Sequence, residues 1–407
     1  MAARVVSPGE WVLLQTSDDR QMMVQATKSG VVRMSKKKRC STAPLVGARF
    51  GSVFELVGKN LTPSDGDLLL DLTGALSGAA GNASEDGAAA GEGEGAVSAP
   101  TDNRGLVDDN SAQKLDPREI ERMKKEGVGG RAIVDALVSN SATFAGKTIF
   151  SQAKYLKRKQ MKYMTRVRVI RCTLDVVAEF LFARSQRKVH GLRWDSLAQM
   201  VSCADVRAGA KVLCLDGCGG LLTAACAART GGFGEVVSVF AGKSAGSAKE
   251  WVERTSMPQA ARDSVRFVAL ADALAAPAFA DAASPGADCL LIAAGHSTEG
   301  TPLDPAPLLR ALLPHLAPSR PFAVFSLYHE TLSAAMLALR RSGIAANTSL
   351  FRTWSRPIQV LHGRTHPTMR MHDESGWVFT GTWAGPAAAA AVKAELAERA
   401  ASKKRKR

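Results

Sequence analysis

The second half of the chain carries the hydrophobic pattern of a parallel β-sheet covered by helices. Short apolar runs alternate with longer stretches in which apolar residues recur at helical spacing. The predicted strands span residues 212–215, 236–240, 265–268, 289–293 and 322–325, and the predicted helices include 308–316 and 331–341. Residues 349–360 and 377–383 are expected to add a closing antiparallel pair. The pattern predicts a doubly wound α/β sheet.

The first part of the chain has a shorter, strand-like period. Apolar runs at residues 11–15, 22–26, 31–34 and 53–57 are separated by Gly, Asp, Ser and Pro. Runs of this length with frequent turn residues are typical of small all-β domains. The spacing suggests a small all-β barrel or sandwich, and we predict an N-terminal β-barrel.

Two segments of different composition lie between these regions. Residues 74–100 consist mainly of Gly, Ala, Ser and Glu, which cannot bury enough apolar surface to offset the chain entropy, so we predict a disordered insertion. Farther on, Asp116, Pro117 and Glu119 form a helix start, and residues 154–168 contain seven Lys and Arg without one acid. The predicted division is 1–73 barrel, 74–101 insertion, 102–188 helical and basic connecting region, 189–385 Rossmann-like domain and 386–407 basic tail.

Composition narrows the classes of function. The 407 residues carry a formal net charge of +15, which favours a polyanionic partner such as nucleic acid. No run of about 18 uncharged apolar residues and no N-terminal signal pattern is present, so neither membrane insertion nor secretion is expected. The seven cysteines never form a C-x-x-C pair and are expected to be reduced, buried side chains rather than disulfides or metal ligands.

Residues 211–240 contain a predicted strand, a glycine turn, a helix and a second strand, in the order found in a nucleotide-binding βαβ unit. The acidic residues that such a unit uses to hold its ligand are not at the expected positions. A working S-adenosylmethionine site of this architecture usually has an acid two residues before the first glycine of its turn. If Gly217 and Gly219 are the functional glycines, that position holds Leu215; if Asp216 is the acid, the glycine position holds Cys218. In either register one contact with the cofactor is lost.

The ends of the other strands lack acids as well. The second strand ends at Phe240, where a carboxylate would hold ribose hydroxyls, and the fourth leads into Ala293, where a base-modifying enzyme would carry a carboxylate. Asp272 lies where an adenine-contacting acid often lies, but a helix-capping role is the favoured interpretation. We predict no catalytic residue and only a vestigial cofactor turn, formed by Gly217, Gly219 and Asp272.

Histidines near the C-terminus could suggest a metal site. No acid or cysteine completes a metal site with His362, His366 and His372, and Pro367 prevents a regular helix through the segment. We predict no metal. A surface loop that presents Arg364 and His366 to phosphate or to a partner is the favoured alternative.

The basic run at 154–168 favours contact with RNA or DNA phosphates. A solvated helical face would intersperse Glu for i to i+4 pairs, and none is present. The tyrosines in the run, Tyr155 and Tyr163, are expected to pack rather than to stack on bases. Residues 36–39 form a second basic group, and the terminal Lys-Lys-Arg-Lys-Arg favours nuclear import over a solubilising tail.

Four longer motifs indicate a family. DNRGLVDDNSAQKL at 102–115, SATF at 141–144, FSQAKY at 150–155 and GRTHPTM at 363–369 resemble the non-catalytic subunits of the eukaryotic tRNA (adenine-N1)-methyltransferase. The resemblance implies a Rossmann-like methyltransferase fold with a degenerate cofactor site. It also implies a heterotetramer that contains two copies of this subunit and two copies of a catalytic partner. The partner would bind S-adenosylmethionine and form 1-methyladenosine in the tRNA T-loop. This subunit would hold no cofactor.

The resemblance implies that the nucleic acid contacted by the predicted binding residues is tRNA. These residues are Lys154, Lys157, Arg158, Lys159, Lys162, Arg364 and His366. Two other functions stay open at this point. The chain could be an autonomous S-adenosylmethionine-dependent RNA methyltransferase with an atypical site, or a basic RNA-binding, translation-associated protein without a methyltransferase role.

Overall fold

The computed structural model of the chain contains two compact units, one ending at Arg171 and one beginning at Cys172. The structure describes residues 4–34, 39–64, 113–144, 147, 149–275, 286–297, 299–360, 365–369, 375–388, 390–392, 394, 395 and 398. The predicted insertion at 74–101, the core of the second basic group at 36–38, Arg364 and the terminal basic residues lie outside these ranges.

The first unit is built on an antiparallel sheet of five strands. The strands of this sheet are β1 (Trp11–Thr16), β2 (Gln21–Gln25), β5 (Val53–Val57), β6 (Asn60–Ser64) and β7 (Arg166–Arg171). The remaining two strands, β3 (Val31–Arg33) and β4 (Arg39–Ser41), form a separate two-stranded ribbon. The order in the sheet is β2-β1-β7-β5-β6. The four predicted strand runs are confirmed. The predicted closed barrel is not, because this order leaves β2 and β6 as edge strands.

Strand β7 corrects the predicted division of the chain. It pairs with β1 on one side and β5 on the other, so it lies at the centre of the first unit rather than in a connecting region at 102–188. Its sequence alternates, and Val167 and Val169 enter the core while Arg168 and Ile170 are only partly buried. This period of two was present in the sequence but was hidden within the basic run.

Three helices complete the described part of the first unit: α1 (Pro117–Lys125), α2 (Gly130–Ser139) and α3 (Ile149–Tyr163). The predicted start of α1 is confirmed, since the Asp116 carboxylate accepts a hydrogen bond from the Arg118 amide at 3.0 Å. A small apolar cluster of Ile120, Ile133 and Leu137 joins α1 to α2. The helices therefore have a core of their own.

Glu55 ties these helices to the sheet. One oxygen of its carboxylate accepts the Gly130 amide at 2.7 Å, at the first residue of α2, and the other lies 3.4 Å from Nε of Arg166. The side chains of Glu55 and Arg166 are only 14% and 4% exposed. Arg166 was predicted as part of the basic run, but the structure places it inside the unit as an ion-pair partner.

The second unit is a seven-stranded sheet with helices on both faces. The strands of this sheet are β8 (Ala210–Asp216), β9 (Gly234–Phe240), β10 (Val265–Ala269), β11 (Cys289–Ala293), β12 (Pro321–Ser326), β13 (Ala345–Phe351) and β16 (Trp377–Trp383). Two short strands, β14 (Ile358–Gln359) and β15 (His366–Pro367), form a separate ribbon. The order is β10-β9-β8-β11-β12-β16-β13, and only the pairings of β16 are antiparallel. The predicted parallel sheet and its closing pair are confirmed, although β13 ends at Phe351 and does not reach residue 360.

Eight helices of the second unit follow the predicted alternation. They are α4 (Leu174–Arg184), α5 (Trp194–Cys203), α6 (Leu221–Thr230), α7 (Gly246–Arg254), α8 (Gln259–Asp263), α9 (Leu270–Ala275), α10 (Pro305–Leu312) and α11 (His329–Arg341). The core lies between sheet and helices and contains Leu213, Leu290 and Phe322, all fully buried. In the part of the chain that the structure describes, no helix is both long and apolar enough to cross a membrane.

Replacing Glu55 with alanine should destabilise the first unit. The buried Arg166 guanidinium loses its carboxylate and the Gly130 amide loses its acceptor, so we expect the free energy of unfolding to fall by about 3 kcal/mol. Glu55→Gln keeps an acceptor for the amide and should lose less. Urea titration read by hydrogen exchange in β5 and β7 measures both variants. Equal protection in Glu55→Ala and the unaltered chain would contradict this role.

Candidate functional site

The turn after β8 is held by the carboxylate of Asp216. Its oxygens accept hydrogen bonds from the amides of Cys218 (2.9 Å), Gly220 (3.1 Å) and Thr223 (2.9 Å) and from the Thr223 hydroxyl (3.1 Å). Such bonds satisfy amides at the start of α6 that have no partner within the helix. The register ambiguity is thereby resolved: Asp216 is the acid of the turn, Cys218 stands at the first glycine position, and the carboxylate is engaged by its own turn.

The glycines of this turn lie against protein backbone. Gly219 and Gly220 have φ of +74° and +95°, a conformation that favours glycine. A Cβ on Gly219 would come within 2.8 Å of the Lys188 carbonyl oxygen, and one on Gly220 within 2.6 Å of Cα of Ala248. A Cβ on Gly217 would meet the Ala293 carbonyl oxygen at 2.8 Å. These contacts give the glycines a packing role that needs no ligand.

The loops after β9 and β11 carry no acid available for a ligand among their described residues. Phe240 is followed by Ala241, Gly242 and Lys243, and the acids of the loop after β11 have other contacts. Glu299 pairs with Lys243 at 3.5 Å, and Asp304 accepts the Ala306 amide at 3.0 Å as the N-cap of α10. The predicted losses at Phe240 and Ala293 therefore have no substitute in these two loops.

Two histidines lie against each other beside the glycine turn, at the carboxyl ends of β8 and β11. The rings of His190 and His296 are stacked with centroids 4.2 Å apart, and their Nδ1 atoms are 2.9 Å apart. Burial, together with His296, lowers the pKa of His190. At neutral pH one imidazole therefore donates and the other accepts. In open α/β sheets the crevice at this end of the strands is where ligands bind.

The loop that carries His296 is bonded to the glycine turn. The Gly217 amide donates to the Ala293 carbonyl at 2.9 Å, and the His296 amide donates to the Gly217 carbonyl at 3.1 Å. His190, with φ of +48°, ends a short turn whose Lys188 carbonyl lies over Gly219. Neither histidine has a motif around it, and 106 residues separate them, so sequence reasoning had no signal for this pair.

The residues present do not fit S-adenosylmethionine. Its usual contacts are backbone amides of a glycine turn and carboxylates at strand ends. Here the turn is packed against Lys188, Ala248 and Ala293, the Asp216 carboxylate at the end of β8 is bonded to the turn's own amides, and the ends of β9 and β11 carry no carboxylate. Asp272 lies exposed as the third residue of α9, in the first turn but not at its N-cap.

The basic face of the first unit lies on α3. Lys154, Lys157, Arg158 and Lys162 are exposed and Lys159 is half-buried. Lys154, Arg158 and Lys162 are spaced four residues apart and form one row along the helix. Among the described residues, no carboxylate lies within ion-pair distance of any of these five side chains.

Of the two tRNA-contact residues predicted near the C-terminus, the structure describes His366, which belongs to the second unit. His366 is exposed in β15, with Nδ1 2.8 Å from the Pro367 carbonyl oxygen and Nε2 3.1 Å from Nε2 of Gln359. Arg364, predicted beside it, is outside the described residues. Among the described residues no three His, Cys, Asp or Glu side chains are arranged to hold a metal ion.

The strand order, the glycine turn and the missing acids together define a class. The second unit is a Rossmann-like domain of the methyltransferase type, in which the last strand in sequence is inserted antiparallel beside the edge strand. An S-adenosylmethionine-dependent O-methyltransferase from Thermotoga maritima has the same fold, with a TM-score of 0.53 over 95% of this chain and 97% of that one, at 11% identity.

The chain belongs to the Gcd10p family, whose model matches residues 5–275. A mouse relative named tRNA (adenine(58)-N(1))-methyltransferase non-catalytic subunit TRM6 is 28% identical over 70% of this chain and 74% of its own length. Relatives of the same name from Dictyostelium discoideum and Kluyveromyces lactis are 28% and 24% identical. The first covers 69% of this chain and 63% of its own length, and the second 92% and 86%.

Gly217→Ala should destabilise the second unit although no ligand contact is lost. The new Cβ would force apart the turn and the loop after β11, and such overpacking costs about 2 kcal/mol. Gly246→Ala is the matched control, because the atom nearest to its new Cβ, Oγ of Ser244, would lie at an ordinary contact distance of 3.5 Å. Thermal unfolding measures both variants. Equal melting temperatures would show that the turn tolerates the added methyl group.

The histidine pair should make stability depend on pH. The folded state lowers the pKa of His190 from its ordinary 6.5, so its contribution is complete above pH 6.5 and is lost as the pH falls through the lowered value. His190→Asn removes this titration, and Asn tolerates positive φ. We expect the melting temperature of the unaltered chain to fall more steeply between about pH 7.5 and 5 than that of His190→Asn. Parallel profiles would exclude the pair as the source.

Proposed function

We propose that this chain is the non-catalytic, tRNA-binding subunit of a tRNA (adenine-N1)-methyltransferase complex. One observation carries the proposal: a methyltransferase-type sheet is complete, while its cofactor turn is packed by Lys188, Ala248 and Ala293. The names of the family's relatives supply the reaction, which forms 1-methyladenosine in the tRNA T-loop. On this proposal the subunit itself performs no chemical step.

The catalytic partner would bind S-adenosylmethionine. Methylation at N1 of adenine requires a methyl donor and a group that accepts a proton from the exocyclic nitrogen as charge develops. In this chain Ala293 stands where that carboxylate would be expected, and the loop that follows it carries His296, which stacks on His190. Both requirements therefore pass to the partner, which supports a division of labour between two subunits.

This subunit would hold the tRNA. Adenine N1 lies on the pairing edge of the base and has to be exposed before a methyl group can reach it. Phosphate contacts fix position and register without reading sequence, and the exposed lysines of α3 can supply them. Arg364 and His366 remain proposed tRNA or junction contacts on the second unit.

Assembly and location form the finer part of the proposal. We propose two copies of each subunit in the complex and a nuclear site of action. The first follows from the family resemblance, and the second is supported by the five consecutive basic residues at 403–407. Native mass spectrometry of the co-expressed subunits measures the first, and imaging of the chain with and without residues 403–407 measures the second.

The decisive experiment measures cofactor binding and methyl transfer with and without the partner. The chain alone should give no calorimetric signal with S-adenosylmethionine and no methylation of a tRNA transcript, and the co-expressed complex should give both. A transcript with guanosine in place of the T-loop adenosine is the control. Methylation by the chain alone would establish an autonomous enzyme instead. Failure to associate with the catalytic subunit would favour a separate RNA-binding role.

A further inference from the structure

Two tyrosines on α3 each lie beneath two lysine ammonium groups. Nζ of Lys147 and Nζ of Lys159 lie 5.2 Å and 5.1 Å from the centroid of Tyr155. Nζ of Lys124 and Nζ of Lys162 lie 4.8 Å and 5.3 Å from the centroid of Tyr163. All four distances are within the range of a cation–π interaction. Lys124 and Lys147 lie outside the basic run at 154–168, on α1 and on the segment before α3.

Both rings are fixed by packing. Tyr155 contacts Phe144 with ring centroids 5.5 Å apart, and burial raises its pKa while a hydrogen bond with Ser141 lowers it. Tyr163 packs against the apolar cluster that joins α1 to α2. A fixed ring restricts the lysine above it, and this lowers the side-chain entropy that an anion contact would otherwise cost.

The four ammonium groups remain available to an anion. Lys124 and Lys162 are exposed, Lys147 and Lys159 are half-buried, and no carboxylate among the described residues is within ion-pair distance of them. A cation–π contact uses the charge of the ammonium but leaves N–H donors for a further acceptor. A nucleobase, by contrast, would have to displace a lysine to stack on either ring.

We infer that Tyr155 and Tyr163 position four lysines, Lys147 and Lys159 at one ring and Lys124 and Lys162 at the other, as contacts for phosphates of an RNA backbone. The tyrosines are eight residues apart on one helix, which corresponds to about 12 Å along its axis. Lys159 and Lys162, one from each ring, are only three residues apart on α3, so the four lysines form one continuous anion-binding surface. The inference rests on the proposed tRNA-binding function and extends the surface from one helix to three segments.

The lysines are tested by the salt dependence of tRNA binding to the full chain. Lys124→Ala with Lys147→Ala should reduce the slope of log Kd against log salt by about 1.5, since each lost phosphate contact removes roughly 0.7 to 0.9. Lys28→Ala with Lys125→Ala is the matched control, because it removes the same charge from exposed lysines of the same unit. A control slope reduced as much as that of the first pair would overturn the inference.

The tyrosines are tested by variants that leave the charge unchanged. Replacing both with leucine should weaken tRNA binding about fivefold, while replacing both with phenylalanine, which keeps the ring faces, should leave it within about twofold. Equal affinities of the leucine and phenylalanine variants would count against the positioning role. If circular dichroism shows that the leucine variant does not fold, the salt dependence of the lysine variants decides whether the inference stands.

A third variant separates this inference from the proposed function. It replaces Lys154, Lys157, Arg158, Lys159 and Lys162 with alanine. Unchanged tRNA affinity in this variant would overturn tRNA binding by α3 and the inference with it. Weakened binding, together with an effect of Lys124 and Lys147 no larger than that of the control pair, would overturn the inference alone and leave the proposed function standing.

Discussion

The second unit depends on one carboxylate, that of Asp216. It accepts four hydrogen bonds from the turn that follows it and so fixes the path from β8 into α6. Because the turn is fixed, Gly217, Gly219 and Gly220 can lie within contact distance of three other backbone segments, and these contacts bring the ends of β8 and β11 together. An unsatisfied amide in this place would cost about 1–3 kcal/mol, which makes the acid a requirement of the fold itself.

This dependence explains which features of a cofactor site remain and which are absent. Asp216 and the glycines serve the fold whether or not a ligand is present. A ribose-binding acid at Phe240 or a proton acceptor at Ala293 would have served only the ligand and the reaction. A carboxylate at Ala293, a fully buried position, would also have to be taken out of water without a partner.

Sequence reasoning found most of the fold, because its signals are local. The apolar runs of the parallel sheet and the cap at Asp116 were read from a few neighbouring residues, and both are confirmed. The features it missed depend on distant contacts. The arginines of β7 obscure its strand pattern, because nothing in the neighbouring sequence shows that Arg166 is buried and paired with Glu55, 111 residues earlier in the chain. His190 and His296 meet only because two loops converge, and Lys124 and Lys147 join the basic face only through tyrosines of another segment.

The two units therefore show opposite uses of charge. In the second, three acids at or near the glycine turn have partners: Asp216 is bonded to amides, Glu299 to Lys243 and Asp304 to the start of α10. In the first, Glu55 neutralises the buried Arg166, while the exposed lysines of α3 have no described acid within reach. A surface that stays basic in this way repels itself, and only a polyanion relieves that repulsion over its whole length. The unpaired positive charge of α3 therefore lies where RNA is proposed to bind.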